Sequence, residues 1–161
     1  RLIRLNITVD EAWAQIEVQL KRRADLIPNL VETVKGYAKH EQSTFDAVVT
    51  ARAKATTAST VADTAAADGM LTQALRGLLA VAEAYPDLKA SANFMSLQEE
   101  LATTENKVAF SRQFYNDNVR SLNTAVKTIP SSFFAGFAKV SEREFYEVED
   151  PQDRNAPNVK F

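Results

Sequence analysis

One stretch of the sequence, from Ala90 to Lys127, constrains the fold most strongly because its pattern predicts a single long helix. It contains neither Pro nor Gly, and Pro130 lies just beyond its end. Its large apolar residues recur at spacings of three, four and seven, the repeat of a seam that packs against other helices. They are Phe94, Leu97, Leu101, Val108, Tyr115, Val119, Leu122 and Val126. Such a helix is about 55 Å long, so the rest of the chain must supply partner helices.

Composition and charge favour an all-α domain and exclude several functional classes. The net charge is −2 with acidic and basic residues interleaved, unlike the basic stripe typical of nucleic-acid binders. The absence of Cys excludes disulfides and thiolate nucleophiles. Gly is scarce, and no run of apolar residues in this sequence is long enough to span a membrane. Because the amphipathic pattern is already under way at Arg1, we expect this stretch to come from a longer protein.

Four helices are predicted, at about 2–24, 27–55, 63–85 and 90–128. The first two are separated just before Pro28, because Pro inside a helix removes a hydrogen bond and clashes with the preceding turn. One kinked helix from Leu2 to Ala55 stays open, but two antiparallel helices match the length of the third helix better. Ala55 to Asp68 has almost no large apolar side chain and is predicted to be a mobile loop.

These elements predict an antiparallel four-helix, up-and-down bundle over residues 1–128, with an extended tail over 129–161 packed on it. Alternating directions then place each connection at one of two ends. We expect the end that holds Arg1, the near pole, to carry the loop from Ala55 to Asp68. The opposite end, the far pole, should carry the turn at Asp25 to Asn29 and the turn at Tyr85 to Asn93.

Six blocks of the sequence form a recognisable pattern: Val9 to Ile16, Gln19 to Ala38, Ala82 to Ala90, Leu97 to Leu101, Thr104 to Asp117 and Arg143 to Tyr146. In this order they resemble the LemA family of bacteria. The resemblance covers nearly the whole chain. Asn6-Ile7-Thr8 and a shortened loop rich in Ala and Thr depart from the family pattern, which affects surface detail only.

The resemblance implies a helical bundle outside the bilayer of the bacterial cell membrane. A single membrane-spanning helix that would precede Arg1 would anchor it. The resemblance implies no reaction and no cofactor. Relatives have been linked to membrane organisation, including the formation of magnetosome membranes. Genes of the family often neighbour those of a membrane metalloprotease, which makes such a protease a candidate partner.

The residues themselves give no constellation that supports catalysis or metal binding. His40 is the only histidine, and a metal site would need further ligands converging from other helices. The adjacent carboxylates Glu99 and Glu100 point about 100° apart on a helix, so they cannot share the face that a di-iron site needs. No nucleophile elbow or phosphate-binding loop occurs. We therefore expect no enzymatic activity, no cofactor and no metal.

Two groups of residues near the C-terminal half are candidate sites. Arg112, Gln113, Tyr115 and Asn116 form a polar cluster among apolar neighbours. It is either a hydrogen-bond network that sets helix register or a groove for a ligand or partner. The second group is aromatic and consists of Phe133, Phe134 and Phe137. It packs on the bundle, binds a partner or contacts a membrane surface, and its near-pole position favours the bilayer.

A third candidate is a contact region for a protein partner at the far pole, and its residues are Arg22, Asp25, Asn29, Tyr85 and Asp87. The function predicted from the sequence is non-enzymatic: a membrane-tethered scaffold or adaptor that binds another protein. One alternative is a self-assembling protein that organises or shapes membranes, with exposed helix faces as its contacts and an oligomer as the result. Another is a sensor that binds a small molecule or metal through the polar cluster.

Overall fold

A computed structural model describes residues 1–128 and 140–147 of the chain. In that part of the chain there are five helices and no strand, so the predicted all-α fold with one long C-terminal helix is confirmed. The helices are α1 (Leu2–Lys35), α2 (Gln42–Thr57), α3 (Val61–Glu83), α4 (Pro86–Lys89) and α5 (Ala92–Lys127). The aromatic cluster of Phe133, Phe134 and Phe137 lies outside the described residues.

The framework of the fold is the antiparallel pair of α1 and α5, each about 50 Å long. Near one end of the pair, Asn93 Nδ2 donates a hydrogen bond to Thr33 Oγ1 at 3.1 Å. Near the other end, Leu2 and Leu122 belong to one apolar cluster. The side chain of Ser91 caps α5 by accepting a hydrogen bond from the Phe94 N–H. The predicted seam of α5 is buried or partly buried along its length.

The predicted break at Pro28 is wrong, because α1 continues through Pro28 to Lys35. Proline has no N–H, so the carbonyl of Ala24, four residues earlier, lacks its helical donor. Arg52 of α2 replaces that donor, with Nε 2.7 Å from the Ala24 oxygen. The chain instead turns between Gly36 and Glu41, so neither a separate helix at 2–24 nor one starting at 27 forms.

The predicted loop from Ala55 to Asp68 is also wrong, since most of it is helical. Only Ala58 to Thr60 separates α2 from α3. Thr60 caps α3 by accepting a hydrogen bond from the Asp63 N–H at 3.0 Å, and the alanines that follow are strong helix formers. The N-terminal part of α3 is anchored because Ala67 is buried. The segment is helical although it carries few large apolar side chains.

The shorter helices α2 and α3 cover mainly the far half of the α1–α5 pair, and only the start of α3, at Val61 and Ala65, packs against residues of the near half. Their buried residues, including Phe45, Val48, Leu71 and Leu75, form one apolar cluster with the C-terminal part of α1 and the N-terminal part of α5. Because α2 is only 16 residues long, the connection at Ala58 to Thr60 lies beside the middle of α1 and not at the near pole. At the far pole the Tyr85 hydroxyl is 3.5 Å from Glu41 Oε1.

The near half of the pair is covered by an extended stretch, residues 140–147, which we call the C-terminal segment. Val140 and Tyr146 are buried in a second apolar cluster with residues from both long helices. The cluster also contains Val9, Ile16, Tyr115, Val119 and Leu122. The C-terminal segment thus occupies the position that a fourth helix of full length would fill.

Candidate functional site

A buried ionic cluster lies where α1, α3, α5 and the C-terminal segment meet. Arg23 of α1 is only 1% exposed, and its Nη1 atom is 3.2 Å from both carboxylate oxygens of Glu105 in α5. The same atom is ion-paired with Asp68 Oδ1 in α3. The hydroxyl of Tyr146 donates a hydrogen bond to the second oxygen of Asp68 at 2.8 Å. Three helices are therefore joined through one guanidinium group, and the C-terminal segment is joined to them through Asp68.

Arg23 and Glu105 each occupy an apolar position of their helix. Arg23 follows Ile16 by seven residues and precedes Ile27 by four, and Glu105 lies four residues after Leu101. These spacings place both charges on the buried faces. The sequence analysis did not single out Arg23, because it placed this residue at the end of a helix predicted at about 2–24. The signal that could have revealed the cluster is that Arg23 and Glu105 fall at the helical spacing of the apolar residues around them.

The cluster shifts the pKa of three of its groups. Burial lowers the pKa of Arg23, but the charges of Asp68 and Glu105 outweigh burial, so its pKa lies above the ordinary value. Burial raises the pKa of Glu105, and Arg23 offsets only part of that shift. Burial and the neighbouring Asp68 carboxylate raise the pKa of the Tyr146 hydroxyl. Arg23 and Tyr146 therefore stay protonated, and the guanidinium keeps its charge throughout the physiological range.

The cluster is not fully hydrogen-bonded. Arg23 Nε and Asp68 Oδ1 are buried without a hydrogen-bond partner, although Asp68 Oδ1 lies close enough to Arg23 Nη1 for an ion pair. A cavity of about 420 Å³ adjoins these residues, with Trp13, Leu20 and Ala55 among its lining.

The C-terminal segment is bound to α5 through its own main chain. Asn116 donates to the carbonyl of Tyr146 at 3.0 Å and accepts from its N–H at 2.8 Å. Two turns further along, Asn123 makes the same pair of bonds with Arg143, at 3.0 and 2.7 Å. The Tyr115 hydroxyl donates to the carbonyl of Glu144 at 2.8 Å. Side chains of α5 therefore bind the main chain of the extended C-terminal segment, much as the main chain of one β-strand binds that of its neighbour in a sheet.

Two side chains of the segment add contacts to other helices. Arg143 Nη1 donates to Asn6 Oδ1 at 3.0 Å and to Asp10 Oδ1 at 2.7 Å, both in α1. The ring of Tyr146 lies 6.4 Å from that of Trp13, centroid to centroid. The guanidinium carbon of Arg112 lies 6.0 Å from the Tyr146 ring centroid. The segment therefore contacts α1, α3 and α5 at once.

Three of the four residues of the predicted polar cluster share a role in the structure, and the fourth does not. Arg112, Tyr115 and Asn116 all contact the C-terminal segment. Gln113 is exposed and is not among the residues that bind the segment. The groove that the sequence analysis considered for a ligand is filled by the chain itself.

The predicted far-pole contact region does not form one surface. Arg22 and Asp25 lie near the middle of α1, next to the buried Arg23, because α1 does not end before Pro28. Asn29 lies about one turn beyond Asp25, whereas Tyr85 and Asp87 lie at the far pole beside the start of α5. Tyr85 is partly buried, and the other four residues of the region are exposed.

The described residues also bear on metal binding and on membrane insertion. Within residues 1–128 and 140–147, no three or more His, Asp or Glu side chains are grouped so that they could hold a metal ion. His40 lies exposed in the turn between α1 and α2. Among the helices of that part of the chain, none combines the length and the apolar character that a membrane crossing requires.

Comparison with known proteins identifies the family of the chain. A search of curated proteins found no match at the significance applied. The model of the LemA family matches residues 12–161, which is most of the chain. The match includes Arg23, Asp68, Glu105 and Tyr146, as well as the asparagines that bind the C-terminal segment. The chain therefore belongs to the LemA family.

Proposed function

We propose that this chain is the non-enzymatic domain of a membrane-tethered scaffold, an adaptor that binds an amphipathic helix of another protein. The observation that carries the proposal is a pair of exposed aromatic residues on α5. The side chains of Phe110 and Phe114 are 74% and 47% exposed, one turn apart on a regular helix. Two phenylalanines at this spacing are the kind of anchor that helix-to-helix recognition uses.

The surface around the two rings favours a helical and partly acidic partner. Phe110 borders a groove of about 420 Å³ between α1 and α5, lined also by Gln19, Thr103 and Lys107. A partner helix in this groove would cover the rings with apolar side chains. It would place an acidic residue opposite Lys107. This surface replaces the far-pole region as our first candidate contact.

The proposed tether is supported by family membership and by the start of α1. Ile3 and Ile7 lie one turn apart and are 59% and 51% exposed, and Arg1 and Arg4 lie beside them. Exposed apolar residues flanked by arginines suit the water–membrane interface. We propose a helix preceding Arg1 as the anchor, which puts the near pole next to the bilayer of the bacterial cell.

Photocrosslinking in cells that make the full-length protein tests the adaptor role. A photoreactive phenylalanine analogue at position 110 should crosslink one partner protein at apolar positions of a helix, and Phe114→Ser should reduce that product at least several-fold. The control position is Val49, which is exposed on α2. Equal crosslinking from positions 110 and 49, or no effect of Phe114→Ser, would refute the proposal. A membrane metalloprotease is the partner that the resemblance suggests.

A further inference from the structure

The groove that holds the C-terminal segment has the properties of a peptide-binding site. Asn116 and Asn123 are seven residues apart, about 10.5 Å along a helix. Tyr146 and Arg143 are three residues apart, about 10 Å along an extended strand. Because these spacings match, each asparagine binds both main-chain groups of one residue of the segment. This is the main-chain recognition by which proteins bind extended peptides.

The groove also selects side chains. The Tyr146 hydroxyl reaches the buried Asp68, and Arg143 reaches Asn6 and Asp10. The groove therefore fits an extended peptide with Arg and Tyr three residues apart. These contacts are non-covalent and do not depend on which chain supplies the peptide.

We propose that a second copy of this chain is the partner of the groove, so that copies exchange their C-terminal segments. Every copy carries the sequence that the groove fits. Eleven residues, 129–139, separate Thr128 from Val140, and a chain of that length can span up to about 40 Å. Val140 packs in the same cluster as Ala125 and Val126, so binding of the segment within its own chain requires much less than this maximum distance. The same linker can carry the segment to a neighbouring molecule.

This exchange gives the domain a route to self-assembly that is independent of the adaptor surface on α5. Intrachain binding has an effective concentration on the order of millimolar. Exchange therefore grows with protein concentration and is favoured where many copies are crowded together. A segment bound in a second copy keeps the hydrogen bonds it makes within one chain, so closed and exchanged forms differ mainly in connectivity.

Zero-length carbodiimide crosslinking of isotopically mixed protein tests the proposal. Lys127 Nζ lies 3.4 Å from Glu142 Oε1, so coupling these two groups joins the end of α5 to the C-terminal segment. In a mixture of equal amounts of ¹⁴N and ¹⁵N chains, mass spectrometry tells intrachain from interchain products. We expect the mixed Lys127–Glu142 product, as a fraction of all Lys127–Glu142 product, to rise about tenfold for each tenfold rise in protein concentration below the millimolar range.

Two controls make the result specific. The Lys89–Glu83 pair, 2.8 Å apart at the end of α3, should give only intrachain product at every concentration. The Asn116→Ala/Asn123→Ala variant, which should release the segment, should lose at least tenfold of both the intrachain and the mixed Lys127–Glu142 product, whereas Asn118→Ala should keep both, because Asn118 bonds only within α5. Helix content by circular dichroism confirms that each variant is folded. Intrachain product alone at all concentrations, or mixed product that persists in the double variant when the intrachain product is lost, would overturn the proposal.

Discussion

Asn116 binds Tyr146 through both of its main-chain polar groups, at 2.8 Å and 3.0 Å. The hydroxyl of the same tyrosine reaches Asp68, which is ion-paired with Arg23. One residue of an extended segment is thereby connected to all three of the longest helices. This explains how a bundle whose α2 and α3 cover mainly one half of the long pair still buries the other half.

Removing the charge of Arg23 should destabilise the fold strongly, because two buried carboxylates lose their counter-ion. We expect Arg23→Met to lower the free energy of unfolding by about 3–5 kcal/mol, measured by urea denaturation. The triple variant Arg23→Met/Asp68→Leu/Glu105→Leu should be less destabilised, since it leaves no unpaired charge. A triple variant less stable than the single variant would contradict this.

Removing the Tyr146 hydroxyl should leave one oxygen of Asp68 without a donor. We expect Tyr146→Phe to cost about 1–3 kcal/mol in unfolding free energy. Tyr85→Phe is the matched control, because the hydroxyl of Tyr85 is partly buried and lies 3.5 Å from Glu41. The control should change stability by less than Tyr146→Phe does. Similar values for the two variants would show that the bond to Asp68 contributes little.

The raised pKa of Glu105 predicts a pH dependence of stability with a definite sign. Burial and the charge of Asp68 favour the protonated form of Glu105, whereas the charges of Arg23 and Arg112 favour its ionised form. The stability that comes from protonating Glu105 is fully present below its ordinary pKa of 4.5. It is lost as the pH rises through the higher pKa of the folded state.

Glu105→Gln, which mimics the protonated form, should therefore gain stability relative to the wild type as the pH rises. Urea unfolding of both proteins from about pH 4 to about pH 8 measures this difference. Glu99→Gln serves as a control because Glu99 is exposed on the same helix. A Glu105→Gln difference that stays constant, or moves in favour of the wild type with rising pH, would contradict the assigned direction.

The bond from Arg52 to Ala24 should matter only because position 28 is a proline. We expect Arg52→Ala to cost about 1 kcal/mol in the wild type and less in a Pro28→Ala background. In that background the N–H of residue 28 can donate to the Ala24 carbonyl as in an ordinary helix. A double-mutant cycle on unfolding free energies measures the coupling. Additive effects would show that Arg52 acts independently of Pro28.

The fluorescence of Trp13, the single tryptophan, should show whether the asparagines of α5 keep the C-terminal segment attached. Trp13 lies 6.4 Å from Tyr146 and 5.6 Å from Tyr115, centroid to centroid. We expect Asn116→Ala to change Trp13 fluorescence and to lower the free energy of unfolding by about 1–3 kcal/mol. Asn118→Ala should do neither, since its side chain bonds to the Phe114 carbonyl on an exposed face. An altered Trp13 spectrum in the control alone would be inconsistent with the structure.

The apolar seam of α5 and the all-α fold were predictable because the repeat of large apolar residues depends only on helix geometry. The end of α1 was not predictable from local rules. Pro28 normally ends a helix, and it fails to do so here because a residue 24 positions later in the chain supplies the missing donor. That compensation depends on tertiary contacts, which the spacing of residues in one segment cannot show.

The candidate site was predictable in part. Tyr115 and Asn116 stood out as polar residues close to an apolar face, and both do bind in the interior. Their partner was hidden, because an extended segment has no helical or strand periodicity to mark it. The predicted loop was extended to Asp68, overlapping the helix predicted at about 63–85, because the small side chains of residues 61–68 form no apolar stripe. The N-cap at Thr60 and the burial of Asp68 stabilise the helix in that region.

The central claim is that the C-terminal segment is an integral part of the fold, bound through its main chain to α5. Amide hydrogen exchange of the full chain tests it most directly at the N–H groups of Arg143 and Tyr146, which donate to Asn123 and Asn116. We predict that both amides are strongly protected and that Asn116→Ala abolishes protection at Tyr146. Exchange of both amides at the rate of an unstructured peptide in the wild-type protein would contradict the account.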